Sequence, residues 1–191
     1  EVQIPKEDFV TVTQMKHLIE IQYLERVNYE ARIKKLDADR YLDLKTGEVK
    51  EFERTENRSQ GMNSLRQTFK KLRYLINNNF DGAGNELFIT LTYRGELQTR
   101  DHLKVGKDYD IFLKRLKRKY KGMSTIDAVR VLEPHESVNW HMHVLLRFND
   151  LEKVYIANKD LEEIWGNGFV KIKSLKDVDN IGAYVSAYLT D

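Results

Sequence analysis

His141 and His143 stand two apart in the run Trp140-His141-Met142-His143-Val144-Leu145-Leu146-Arg147-Phe148. Its alternation is that of a strand, with Met142, Val144 and Leu146 facing one way and His141, His143 and Leu145 the other. Two imidazoles on one face of a rigid element are close enough to share a metal ion. Eight residues before His141 is Glu133, at the end of a second strand-like run that begins at Ala128. The polar stretch 134–139, with its proline, suits a hairpin connection, and antiparallel pairing then brings Glu133 beside the histidines. Two imidazoles and a carboxylate make an open site for Mg²⁺, Mn²⁺, Zn²⁺ or Fe²⁺. Glu136 competes as third ligand from nearer the turn. The helical H-E-x-x-H pattern of zinc proteases is not met, because His135-Glu136 has Asn139 where the second histidine belongs. The plainer reading is two histidines on a half-solvated strand face.

A second set of reactive side chains closes the chain. Tyr184 and Tyr188 are four apart in a helical stretch and project from one face, together with Ile181 and Val185. Tyrosines in such a stripe are commonly core rings with a satisfied hydroxyl. A third set lies at 107–121, where the spacing predicts an amphipathic helix with Tyr109, Phe112, Leu113, Leu116 and Tyr120 on its apolar side. Lys114, Arg115, Lys117, Arg118, Lys119 and Lys121 cover the rest. A charge run is usually a solvated face. Here the net charge is only +2, so this cluster, and Lys114, Lys117, Arg118 and Lys121 in particular, is the best match to a phosphate backbone.

The elements that position these groups follow from periodicity. Residues 1–15 read as an arm with one short strand, 16–28 is ambiguous between strand and helix, and 41–52 reads as a hairpin turning at Thr46-Gly47. A polar loop over 53–61 leads to a helix from Met62, with apolar residues at 62, 65, 69, 72, 76 and 80. A strand at 87–93, the basic helix, the two strands of the histidine site, a short helix at 160–165, a strand at 169–173 and the final helix complete the order. Asp177 or Asp179 is the expected cap of that last helix. The sum is an α+β fold, an antiparallel β-sheet with helices packed on it. Its division is expected to be an N-terminal part over 1–80, integrated with the core, and the core itself over 81–191.

Composition narrows the function. The 191 residues include no cysteine, which removes disulfides, thiolate metal sites and thiol nucleophiles and suits a reducing cytoplasm. No apolar run is long enough for a membrane span. Glu1 is not an initiator methionine and the last helix runs to Thr190-Asp191 uncapped, so a piece of a longer protein is expected.

Three motifs taken together resemble a known superfamily. Phe88-Ile89-Thr90-Leu91-Thr92, then Glu133 with His141-Met142-His143, then Tyr184-x-x-x-Tyr188 look like the ordered motifs of the HUH endonucleases, closest to the rolling-circle replication initiators of Gram-positive plasmids, phages and integrative elements. The likeness covers about 86–191 and includes Trp165-Gly166-Asn167-Gly168 ahead of the 169 strand. It implies a nicking domain in which His141, His143 and Glu133 hold a divalent metal, Mn²⁺ or Mg²⁺. Tyr184 would attack a DNA phosphate, and Tyr188 could serve as a second nucleophile. The expected partners are single-stranded or extruded origin DNA, a host helicase and a polymerase. Tyrosine after HxH excludes the relaxase order but leaves a single-strand transposase open. Two rival readings come from different classes: a non-catalytic nucleic-acid-binding module and a water-using metallohydrolase. One departure stands out: many relatives carry lysine three residues after the first tyrosine, and here that position is Ala187, with Asp191 where another often follows.

Overall fold

A computed structural model describes residues 3–25, 31–52, 62–134 and 140–188. The expected loop at 53–61, Glu136 in its turn, and Asp191 lie outside the described residues. The chain divides into two compact units, one of residues 1–14 and 19–69 and the other of 15–18 and 70–191.

In the first unit, the ambiguous stretch resolves as a strand. β1 (Val10–Met15) and β2 (Leu18–Tyr23) pair as a two-stranded sheet. A three-stranded antiparallel sheet follows, from β3 (Ile33–Lys35), β4 (Arg40–Asp43) and β5 (Val49–Glu51). The β4–β5 turn is the expected one: Asp43 accepts from the amide of Lys45, and Gly47 takes φ +73°, a conformation that suits glycine. The third strand, β3, was not foreseen; three residues of Ile-Lys-Lys are too short to show a period. Helix α1 (Met62–Asn79) begins where its apolar spacing begins, and from Lys70 onward it belongs to the second unit.

The second unit is built on a four-stranded antiparallel sheet. Its strands are β6 (Glu86–Tyr93), β7 (Ile126–Pro134), β8 (Trp140–Phe148) and β9 (Gly168–Lys173), in the order β7-β8-β6-β9. Helix α2 (His102–Lys119) joins β6 to β7, α3 (Asn158–Trp165) joins β8 to β9, and α4 (Ile181–Ala187) follows β9. The α+β class and the element order expected from the sequence are therefore observed. Helix α2 starts at His102 rather than 107 because Asp101 accepts from the amide of Leu103 and caps it. The cap of α4 is Asn180, which accepts from the amide of Ala183; neither Asp177 nor Asp179 fills that place.

Side-chain alternation divides the sheet into two faces. Leu87, Ile89, Leu91 and Tyr93 of β6 and Met142, Val144, Leu146 and Phe148 of β8 pack with Val105, Tyr109, Phe112 and Leu116 of α2 and with Leu161 and Trp165 of α3. Fully burying one such side chain contributes about 1.5–3 kcal/mol. Trp165 is enclosed, and its indole N–H donates to the carbonyl of Thr92 at 3.1 Å. Gly168 has no room for a side chain, because a Cβ there would meet the same Thr92 carbonyl. The Trp165–Gly168 segment thus presses β9 onto β6.

The opposite face carries a smaller apolar cluster. Phe88, Val131 and Leu145 of the sheet meet Ile76 of α1, Phe80 and Leu175 of the loops, and Ile181 and Val185 of α4. Asn77, fully buried, ties the two helices on this face together. Its Oδ1 accepts from the amide of Gly182 at 2.7 Å and its Nδ2 donates to Asn180 Oδ1 at 3.0 Å. Gly182 permits the approach: a Cβ would lie 2.5 Å from the carbonyl oxygen of Arg73.

Candidate active site

The register of the sheet sets the site. Glu133 pairs directly with His141 across β7 and β8, and Val131 pairs with His143. On the other side of β8, Thr92 pairs with His141 and Thr90 with His143. Across β6 and β9, Thr92 pairs with Phe169, Thr90 with Lys171 and Phe88 with Lys173. One row of the face therefore reads Glu133, His141, Thr92, Phe169, and the next reads Val131, His143, Thr90, Lys171. A third reads Val129, Leu145, Phe88, Lys173.

His143 is the most tightly held of these groups. It is 3% exposed, its Nε2 lies 2.6 Å from Glu133 Oε2, and its Nδ1 lies 3.1 Å from Thr90 Oγ1. Phe88 stacks on the imidazole at 5.6 Å between centroids, nearly parallel at 12°. A buried imidazole fixed at one nitrogen by a hydroxyl, with the other turned to a carboxylate, has the outer support that metal-binding histidines usually have. Two imidazoles and a carboxylate on adjacent strands fit a divalent first-row ion by donor type, Mn²⁺ better than Mg²⁺, which prefers an all-oxygen shell. Among the described residues no three His, Asp or Glu side chains converge as a ready-made metal cluster; His143 and Glu133 bond to each other.

Helix α4 lays both tyrosines over this face. The Tyr188 ring packs on His143 at 4.2 Å between centroids, and the Tyr184 ring meets Phe88 edge-on at 5.6 Å. Their hydroxyls are 3.0 Å apart. Lys173 Nζ donates to both, at 3.1 Å to Tyr184 and 3.0 Å to Tyr188. These contacts with Tyr188 and Tyr184 hold the lysine protonated and push its pKa up.

Burial alone would raise the pKa of both phenols. At Tyr184 the hydrogen bonds from Tyr188 and Lys173 and the charges of Lys173 and Lys171 outweigh burial, and the pKa falls below the ordinary tyrosine value. At Tyr188 burial, with the hydrogen bond and charge of Tyr184, wins over Lys173 and the pKa rises.

The structure thus brings Glu133, His141, His143, Tyr184 and Tyr188 to one face of one sheet. Lys173 was missed in the sequence. Its signal was the alternation of Phe169, Lys171 and Lys173 on one face of β9, together with the absence of lysine at Ala187. Lys114, Lys117, Arg118 and Lys121 are exposed on or just past α2, the helix packed against the other face. Lys117 and Lys121 border a shallow groove with Ser124, Thr125 and Asp150. Nearby cations of α2 are engaged locally: Arg115 donates to the carbonyl of Ile164, and Lys119 stands 3.7 Å from Asp160. Among the described residues no helix is long and apolar enough to cross a membrane.

Residues 86–191, more than half of the chain, match the family model described as replication-associated protein ORF2. No curated protein and no solved structure matches.

Proposed function

Because this chain belongs to the replication-associated protein ORF2 family, we propose that it initiates DNA replication by nicking and rejoining one strand of an origin through a tyrosine. The observation that carries this reading is the lysine-bound pair of hydroxyls, Lys173 with Tyr184 and Tyr188, set on the ring of a buried histidine that is itself paired with Glu133. A structural tyrosine pair needs only neutral partners. A cation shared by two phenolic oxygens favours the charged form that a nucleophile must reach.

In this reading Tyr184 is the nucleophile, as the register of the motif resemblance implies, and its hydroxyl accepts from Lys173. Its oxygen forms a bond to the phosphorus of the scissile phosphodiester while the bond to the 3′ oxygen breaks. The phenolic proton is lost, the leaving 3′ oxygen gains one, and the products are a 5′-phosphotyrosine and a free 3′-OH. One ester replaces another, so reversal rejoins the strand and the 3′-OH can prime a polymerase. Lys173 holds the attacking oxygen and offsets its developing charge. His141, His143 and Glu133 would hold a divalent metal, which when bound acts as a Lewis acid toward the phosphate. Thr90 and Phe88 fix the orientation of His143. The substrate is single-stranded or extruded DNA, since an intact duplex cannot present its phosphate to side chains on a sheet face.

The deciding experiment incubates the chain with single-stranded origin oligonucleotides and Mn²⁺, then resolves protein–DNA adducts under denaturing conditions. A covalent adduct that carries the 5′ phosphate is expected. Cleavage without adduct would make the chain a water-using hydrolase, and binding without cleavage would make it a binding module. A single-strand transposase would share the adduct.

A further inference from the structure

Phe169 is 58% exposed, although it stands in the same row of the sheet as His141 and Glu133. Its neighbours in β9, Gly168 and Val170, are buried on the other face. The ring lies on the outermost strand, and the Arg94 guanidinium stands 6.0 Å from its centroid. The next residue of β9 on this face is Lys171, exposed, and the one after is Lys173. On this face β9 therefore presents one aromatic ring and two cations, with no acid among them. Two strand spacings separate Phe169 from His141, about 10 Å, room for a neighbouring nucleotide beside a phosphate at the histidines.

We propose that Phe169 is a stacking platform for a nucleobase of the single strand next to the scissile phosphate, with Arg94 and Lys171 flanking it as phosphate contacts. The proposal rests on the nicking reading for the place of that phosphate. The ligand class follows from the chemistry. An exposed ring with a guanidinium over one face offers the other face to a base and charge to the backbone, which is how single strands are held without sequence readout. A ring that merely covered protein would be expected to lie among apolar neighbours, whereas here Arg94 and Lys171 border it.

The test uses the full chain with Tyr184→Phe and Tyr188→Phe, so that binding is measured without covalent capture. The probe is a mixed-sequence single-stranded oligodeoxynucleotide with 2-aminopurine walked through its positions. One position should be quenched on binding. Phe169→Trp should keep the quench, while Phe169→Leu and Phe169→Ala should lose it and weaken binding about 5- to 150-fold. Leucine keeps the apolar bulk, so loss in that variant cannot be ascribed to unfolding. Full affinity and quench in Phe169→Leu would overturn the proposal. So would a change in self-association, seen by sedimentation, with DNA binding intact. Nicking by the tyrosine-intact chain is scored separately. Adduct formation without Phe169-dependent quench sinks the platform alone, and quench without adduct sinks the nicking reading and keeps the platform.

Discussion

Lys173 Nζ meets the hydroxyl of Tyr184 at 3.1 Å, from a strand rather than from the tyrosine's own helix. Relatives that carry lysine three residues after the tyrosine would place it on that helix, and Ala187 cannot serve. Lys173→Met should lower single-turnover nicking about 10- to 100-fold, the scale of losing charge-assisted hydrogen bonds. The sign of the pH effect follows from the lysine's action. It lowers the Tyr184 pKa, so its removal should raise that pKa and move the rising limb of the pH–rate profile to higher pH. Lys173→Arg should restore part of the rate and most of the profile. An unmoved profile in Lys173→Met would remove the lysine from the chemistry.

The two tyrosines differ in setting, and the difference predicts which one carries DNA. Tyr188 lies on the imidazole of His143, whereas Tyr184 stands edge-on to Phe88 in the register of the family's nucleophile. Mass spectrometry of the adduct should place the phosphate on Tyr184 and find none in Tyr184→Phe. An adduct on Tyr188 that survives in Tyr184→Phe would reverse the assignment. Adducts on both in the unaltered chain would mark a two-nucleophile enzyme.

Metal dependence should follow the donor set. Calorimetric titration with Mn²⁺ should show one site, lost in His141→Ala and His143→Ala and weakened in Glu133→Ala, while nicking stops in EDTA. Glu136→Ala should matter less than Glu133→Ala, because Glu133 is the carboxylate paired with His141 and bonded to His143. The opposite ranking would move the third ligand to Glu136.

Anchoring of the tyrosine helix can be measured without DNA. Asn77→Leu removes the acceptor of the Gly182 amide and should cost about 1–3 kcal/mol in denaturant unfolding. Gly182→Ala forces a methyl against the carbonyl of Arg73 and should cost about the same. Stability equal to the unaltered chain in both variants would show that α4 is not held there.

The basic face of α2 makes a separate expectation. Reversing charge at Lys114, Lys117, Arg118 and Lys121 should weaken single-strand binding and flatten its dependence on salt, since fewer counterions are released. With the helix on the far face of the sheet from the tyrosines, the nicking rate at saturating DNA should stay unchanged. An unaltered salt slope would mark these residues as a solvated surface.

Most of the 86–191 fold could be read from periodicity, because the signals are local. Eight residues from Glu86 to Tyr93 and nine from Trp140 to Phe148 are long enough to show an alternation. The histidines and tyrosines were legible for the same reason, each pair lying within one element. Lys173 was not legible as a site residue. What carries it to the tyrosines is the pairing of β9 with β6, Phe88 against Lys173, and register between distant strands is not written in either strand alone. The cap at Asn180 was hidden similarly, since Asp177 and Asp179 have equal local claims. The choice fell to the residue that Asn77 of a distant helix also reaches. β3 escaped because three residues cannot show a period.

Alternation along β8 has an evolutionary corollary. Adjacent codons answer to different masters: Met142 and Val144 to the packing of α2 and α3, His141 and His143 to the candidate site on the opposite face. A change in the apolar layer reaches the reactive one only through the backbone between them. The hydrophobic side of this sheet can therefore change, volume for volume, without touching the other. Lineages could diverge until little but the order of a few polar residues still marks their kinship.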